Sequence, residues 1–468
     1  MFYLSLSRAA ILRQKLNEIM HAVQLIFQRA IISCIFFFTP FALADINKQM
    51  FNLSMSNDAH AMFMQNLQDS LNLHPEALLQ DSLIAQQVNQ AKIVETDLKP
   101  KMFFQINSKS APLDSETDSF FQSLQQKNNS VVDQTLILEK LITDFGQTKN
   151  RISQQEELVR SGRATGVSEK TKLALRMFDA CFNTAAYSLL HEVADSSVAR
   201  HQEITELIKI RVESGRAPGR ELSRSSARLA EAKAKKLLLA KNLSEAVANF
   251  NSLLPSQPAC MQFPLSKFYI EFDQFSAVNL AQTENNEIRS LNFKIKSLER
   301  QLKSIQKGKY PQLKAEIRAD KYDISNTDDY NLVGAVKFNW DLYQGKKRRI
   351  QEQNSKEEIK SATYEKDALQ RKVESLVTSN LAELKQSKLR LEAFAEAYKA
   401  NVQSREQHKA QFFAANISLL ELLQSERDYL EAAEAFVLNT KQVRMAEHLH
   451  LFYTGALDSY IMIAQENY

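Results

Sequence analysis

Two sets of residues are of types that could do chemistry, and neither has the spacing that chemistry needs. Asp144-Phe145-Gly146 spells a protein-kinase motif, but no glycine-rich phosphate loop and no His-Arg-Asp catalytic loop accompany it. In context the tripeptide is a strand-to-helix junction. The 8 histidines contain no His-Glu-x-x-His pair and no other metal-ligand spacing. His448 and His450 are two residues apart and so face different sides of a helix, which suits a surface or core role better than metal ligation. No Gly-x-Ser-x-Gly nucleophile elbow occurs. The sequence therefore predicts no catalytic residues, no metal and no cofactor: the chain is not an enzyme. The basic run Lys346-Lys347-Arg348-Arg349 reads as a solvated helix start, with contact to membrane headgroups as the sharper alternative.

Long helices must carry whatever function the chain has. Its 468 residues include only 9 Gly and 9 Pro, so the breakers that punctuate an ordinary multidomain enzyme are missing. A formal net charge of +4, from 59 basic and 55 acidic residues, argues against nucleic acid as a partner. Helical patterns run from about Asn57 to Leu98, where Pro100 ends them, and then from Gly146 to Ser214 and from Glu221 to Leu253. Further helices follow over Ser276–Lys307, Gly345–Phe412 and Ser418–Tyr453. In the fifth of these, Leu369, Val373, Leu376, Leu384, Leu391, Phe394, Tyr398 and Val402 keep one stripe, as in a coiled coil. A helix of that length would extend about 100 Å, which few compact domains accommodate.

Between the helices lie two pairs of alternating segments. Leu313, Ala315, Ile317 and Ala319 oppose Lys314, Glu316, Arg318 and Asp320. Leu332, Gly334, Val336, Phe338, Trp340 and Leu342 oppose Val333, Ala335, Lys337, Asn339 and Asp341. Strands are predicted at about 312–322 and 331–343, with an earlier pair at about 100–110 and 131–142, separated by a polar loop. Membrane barrel strands have this period, and so does a half-buried soluble sheet. Four strands cannot close a barrel, and open edges are not tolerated in hydrocarbon, so strands that span a membrane would require oligomerisation.

The N-terminus has the form of a secretory signal. An apolar stretch from Ala30 follows Arg29 and ends in Ala42-Leu43-Ala44, a small-residue cleavage site. Met20 would give a signal of more usual length than Met1. Cys34 lies in a superficial lipoprotein box, but the apolar core continues beyond it, which argues against lipidation. Cleavage leaves Cys181 and Cys260. An exported pair can form a disulfide. Yet Cys181 falls in a helical stretch and Cys260 in a proline-containing linker far along the chain, and the expectation is two free, buried thiols.

The chain is also an imperfect duplication. Glu221-Leu222, Ser225 and Ala232 recur as Glu421-Leu422, Ser425 and Ala432, Arg151-Ile152 as Arg349-Ile350, and Pro100 as Pro311. The expected organisation is a signal over 1–44, a first repeat over 45–253, a linker or insert over 254–275, a second repeat over 276–457 and a tail over 458–468.

Gly308-Lys-Tyr-Pro311-Gln-Leu313, the segment Val336–Gly345 and the paired turns Gly215–Leu222 and Ala415–Leu422 resemble the TolC family of outer-membrane efflux proteins. Two family features are altered: Asp341 stands for the usual proline, and Ala415 for the glycine of the second turn. The resemblance implies a mainly α fold with a minor β part. In it, a duplicated helix-strand-strand-helix-helix repeat gives four strands per chain to a trimeric, twelve-stranded outer-membrane β-barrel, set on a long α-helical periplasmic tunnel. It further implies a passive exit duct of a tripartite export system, for type I protein secretion or for small-molecule efflux. The implied partners are a second and third copy of the chain, a periplasmic adaptor (membrane fusion protein), an inner-membrane transporter and outer-membrane lipid. The alternative is a periplasmic coiled-coil scaffold or adaptor without a barrel. By position in the family, Glu421 and Glu221 would be pore carboxylates of the channel entrance, Gln424 would replace a second acid, and Phe412 would help latch the closed end. A helix-start carboxylate is the competing role for Glu421 and Glu221. Trp340 and Tyr343, at the end of a strand, are placed for a membrane-interface girdle, with a core tryptophan as the competing explanation.

Overall fold

The computed structural model of the protein describes residues 53–109, 131–255, 258–264, 273–321, 330–414 and 417–461. The signal segment with Met20, Ala415 of the second turn, and the tail beyond 461 lie outside the described residues.

The first half runs through α1 (Asn57–Leu73), α2 (Pro75–Glu95), a 3-10 turn (Thr96–Leu98), β1 (Lys101–Lys109), β2 (Val131–Thr143), α3 (Gln147–Glu213) and α4 (Gly219–Leu253). The second half repeats the order with α5 (Gln274–Glu284), α6 (Asn286–Lys307), β3 (Gln312–Lys321), β4 (Tyr330–Asn339), α7 (Lys347–Phe413) and α8 (Leu419–Thr454), then the single turn α9 (Leu457–Tyr460). Helices α3 and α7 both have 67 residues, and α4 and α8 have 35 and 36. The duplication extends to single bonds: Ser225 Oγ donates to the Leu222 carbonyl, and Ser425 Oγ to the Leu422 carbonyl.

Two helices expected to be continuous are broken in two. At the first break His74 Nδ1 accepts the Glu76 N–H, and Pro75 takes the first helical position, where its missing N–H is harmless. At the second, the Asn285 side chain accepts the N–H groups of Glu287 and Ile288 and starts α6. Helix ends follow their glycines. Gly215 has φ +72, the Arg216 N–H reaches the Arg211 carbonyl, and the Gly215 N–H reaches that of Val212. This is a Schellman stop, which needs a left-handed residue. Gly455 repeats it at the end of α8 with φ +76, and a Cβ there would collide with the Glu284 backbone.

The strands form one antiparallel sheet in the order β1-β2-β3-β4. Its register puts Met102, Phe104 and Ile106 beside Leu138 and Leu136, these beside Ile317 and Ala319, and these in turn beside Gly334 and Leu332. Val336 and Phe338 continue the apolar face beside Ala315 and Leu313. Most large members of this face are exposed, and Ser108, Gln134, Lys140 and Lys321 are its polar exceptions. The opposite face is mostly charged or polar, with Phe103, Ile137, Leu141, Val333 and Ala335 among its apolar members, and it is tied across strands. Lys314 pairs with Glu139 at 2.8 Å, Lys337 pairs with Glu316, and Thr135 donates to Asp320 at 2.9 Å. Strand β4 stops at Asn339, four residues short of the expected end, because Pro311 precedes the β3 partner Gln312 and has no N–H to extend the ladder.

The described residues group into two compact units. One draws on Leu71–Leu175, Glu271–Leu381 and Leu449–Tyr468 and contains the sheet. The other draws on Met1–Ser70, Arg176–Ile270 and Ala382–His448 and contains the helix turns. In the second unit the expectation of free thiols fails: Cys181 and Cys260 form a disulfide. The proline-containing segment folds back, so distance along the chain did not measure distance in space. Phe263 exchanges backbone hydrogen bonds with Leu53 and Met55 and packs against Phe182 of α3, 6.2 Å away. His448 fills the same core, 4.3 Å from the Phe178 ring, and His450 is buried too.

The disulfide closes a loop with a sequence separation of 79. Opening a loop of that size removes about 4 kcal/mol of chain-entropy stabilisation. Reductant, or the double change Cys181→Ala/Cys260→Ala, is expected to lower the denaturant midpoint of the purified protein by a corresponding amount. An unchanged midpoint would mean that the Phe263 contacts alone hold the segment.

Candidate functional site at the helix turns

The α3–α4 and α7–α8 turns share one apolar cluster. Ile204 and Ile208 of α3 meet Phe412 of α7 and Leu419, Leu422 and Leu423 of α8, and Leu207, Val212, Leu222 and Ile417 pack around them. Phe412 is buried at the centre, with the Arg211 guanidinium 4.7 Å from its ring centroid. The two turns singled out in the sequence are therefore brought together within one chain.

The carboxylates have local partners. Glu421 Oε2 accepts the Ser418 N–H at 2.9 Å, and Ser418 Oγ accepts the Glu421 N–H at 3.3 Å. This reciprocal pair is a capping box, written in the sequence as Ser-Leu-Leu-Glu. Glu421 is exposed and holds the start of α8. Gln424 Nε2 donates to Asp428 at 2.7 Å. Glu221 lies in the first turn of α4, whose start has no side-chain cap.

Sequence reasoning missed a buried ionic cluster behind this apolar one. Arg405 of α7 is 1% exposed and Glu426 of α8 is 0% exposed. Arg405 Nε donates to Glu426 Oε2 at 2.7 Å, and Arg200 Nε lies 3.7 Å from Glu426 Oε1. Arg200 also reaches Glu203 at 3.4 Å and Glu406 at 3.3 Å. The Arg405 guanidinium sits 4.2 Å over the Tyr429 ring, and beyond it Tyr398 stacks on Phe436. Both Nη atoms of Arg405 are buried without a hydrogen-bond partner. Two buried guanidinium groups thus share one buried carboxylate, and Arg405 has no other among the described residues. Burial pushes the Glu426 carboxyl above its ordinary value, and Arg405 and Arg200 oppose that shift. His201, buried beside them, is held down to about 4 by burial and by Arg405 and Arg228. The signal was available: Arg405 interrupts the seven-residue seam Tyr398–Arg405–Phe412, and Glu426 falls on the apolar stripe Leu419–Leu422–Glu426–Tyr429.

Two outcomes are expected from this cluster. Glu426→Gln leaves the buried Arg405 without a carboxylate, while Arg200 keeps Glu203 and Glu406, and should lower stability by about 3–5 kcal/mol in denaturant unfolding. An unfolded histidine titrates near 6.5, so between about 6.5 and 4 only the unfolded chain takes up the His201 proton. Stability should therefore be complete above pH 6.5 and fall as pH drops towards 4. His201→Gln should flatten that slope in thermal melts across the window. A residual slope is expected from His448, which burial also holds at about 4.

A second cluster of sequence-predicted residues lies at the helical end of the sheet. Trp340 is 53% exposed, donates from Nε1 to the Lys309 carbonyl at 3.1 Å and meets Phe338 edge-on. Tyr343 is 87% exposed. Neither is a core residue of the chain.

No family model and no curated protein sequence matches the chain. Solved structures do. CusC, whose crystal structures concern folding and transmembrane channel formation, superposes with a TM-score of 0.72 at 10% identity over 84% of this chain and 92% of its own. The outer membrane protein VceC of Vibrio cholerae gives 0.69 at 13% identity, over 84% and 96%. The Campylobacter jejuni outer membrane channel CmeC gives 0.69 at 12% identity, over 84% and 86%. At these identities the likeness is one of fold, and the chain has the TolC-like fold of outer-membrane channels, as its sequence motifs implied.

Proposed function

We propose that this chain is one subunit of an outer-membrane exit duct: a homotrimer whose four-stranded sheets close a barrel in the membrane above a periplasmic helical tunnel. The observation that carries this reading is the sheet. It has one bare apolar face, one charged face held by cross-strand ion pairs, and unpaired edges at β1 and β4. Such a sheet suits lipid on one side and an aqueous lumen on the other, with its edges paired to further copies. The fold shared with outer-membrane channels supports the same reading. A soluble periplasmic scaffold would leave the apolar face in water, which the chain's own helices do not relieve. The duct is passive, is opened by a periplasmic adaptor together with an inner-membrane transporter, and suits protein or small-molecule cargo alike.

In this assembly the α3–α4 and α7–α8 turns form the periplasmic entrance. Three copies of Glu421 ring it, with Gln424 one turn on and Glu221 on the neighbouring helix, while Phe412 keeps the turns together. A negative ring in a constricted path attracts cations.

Fractionation tests the assembly: the mature protein should require detergent for release and run as a trimer in mild gel electrophoresis. Release as a soluble periplasmic protein would end the reading. Single-channel recording tests the ring. Glutamine also serves at this position of a capping box, so Glu421→Gln removes charge with little change in stability. Cation selectivity and block by multivalent cations should weaken. If they do not, Glu421 is a cap and nothing more.

A further inference from the structure

Three corners of the chain meet at the helical end of the sheet. Trp340, just beyond β4, bonds to the Lys309 carbonyl of the α6–β3 corner. Tyr310 of that corner lies 5.5 Å from Phe145 at the β2–α3 corner. The Lys307 and Lys309 ammonium groups lie 5.3 and 5.1 Å from the Tyr310 ring. Lys346 follows closely on Trp340 and opens the run that continues through Arg349.

Six cations, Lys307, Lys309, Lys346, Lys347, Arg348 and Arg349, thus flank one aromatic rim. None of them has a carboxylate partner among the described residues. Asp341, before the run, accepts a hydrogen bond from Gln344 instead, and Glu352, one turn into α7, makes no ion pair with it among the described residues. Local folding does not account for the basic run. Its last three residues open the first turn of α7, which holds no acid, and the positive end of a helix dipole disfavours cations. In the chain the exposed Trp340, Leu342 and Tyr343 lie between the apolar strand β4 and the basic run. Apolar face, aromatic rim and unpaired cations follow one another in the order of acyl chain, interface and phosphate.

We propose that this patch binds the phosphate headgroups of anionic phospholipids in the leaflet on the helical side of the barrel, and so sets the depth and lipid preference of the channel. The inference rests on the membrane reading above and adds a ligand to it. Basic side chains beside an anionic lipid surface each strengthen attachment several-fold, whereas zwitterionic headgroups give no such gain.

The sequence has a single tryptophan, so fluorescence of the full-length protein reports on this corner alone. The assembled channel is reconstituted in bilayers that contain either brominated phosphatidylglycerol or brominated phosphatidylcholine at equal mole fraction. Phosphatidylglycerol is expected to reach half-maximal quenching at a mole fraction at least about threefold lower. The combined variant Lys346→Gln/Lys347→Gln/Arg348→Gln/Arg349→Gln should abolish that preference while phosphatidylcholine quenches as before. Lys307→Gln/Lys309→Gln, which leaves the start of α7 untouched, should reduce it. Strong but equal quenching by the two lipids in the unaltered protein overturns the headgroup site and leaves the membrane reading intact. A preference that survives both variants also overturns it. Quenching by neither lipid overturns both readings.

Discussion

A sheet with two open edges and one apolar face is the constraint on which the rest of this structure depends. In water the apolar face is unfavourable, and in hydrocarbon the unpaired N–H and C=O groups of β1 and β4 are more so. Lateral pairing with further copies inside lipid removes both penalties at once. The charged face then needs water or counter-charges, and the Lys314–Glu139 and Lys337–Glu316 pairs supply part of that compensation within the chain. Aromatic residues and unpaired cations gather where the strands give way to helices, which in the proposed assembly is the boundary between hydrocarbon and water.

Behind the helix turns a different constraint operates. An apolar seam between long helices can slide by a turn at modest cost, because one leucine replaces another. The Arg405–Glu426 contact cannot, since a shift would leave both charges buried and unpaired. The pair therefore fixes the register of α7 against α8 next to the cluster around Phe412. Arg200 carries the same restraint to α3 through Glu426 of α8 and Glu406 of α7.

Much of this architecture is legible in the sequence, because it rests on period and punctuation. Alternation marked β1, β3 and β4 most plainly, while β2 has mixed faces, and Gly215, Pro100 and Pro311 marked ends that the backbone respects. The duplication was visible through Ser225 and Ser425, which make equivalent bonds. Features that depend on contacts across the chain were harder to see. The disulfide needs the segment around Phe263 to return to α3, which no local pattern records. Glu421 was singled out for its charge, although the Ser418–Glu421 spacing already described a capping box. Arg405 and Glu426 were absorbed into helical stripes whose apolar members drew attention first, yet a charge on a buried stripe is itself a signal.

The seam between β2 and β3 has a consequence for how the molecule comes to exist. Side chains that meet across it, such as Thr135 with Asp320 and Glu139 with Lys314, are 175 to 185 residues apart in the chain. The hairpin of β1 and β2 belongs to the first repeat, and its partner lies beyond α3, α4, α5 and α6. Helices close their bonds locally and fast, whereas pairing at such separation is slow. A chain delivered from its N-terminus will have assembled the first repeat's helix pairs while β2 still lacks its neighbour. The repeat made first is the one that must wait.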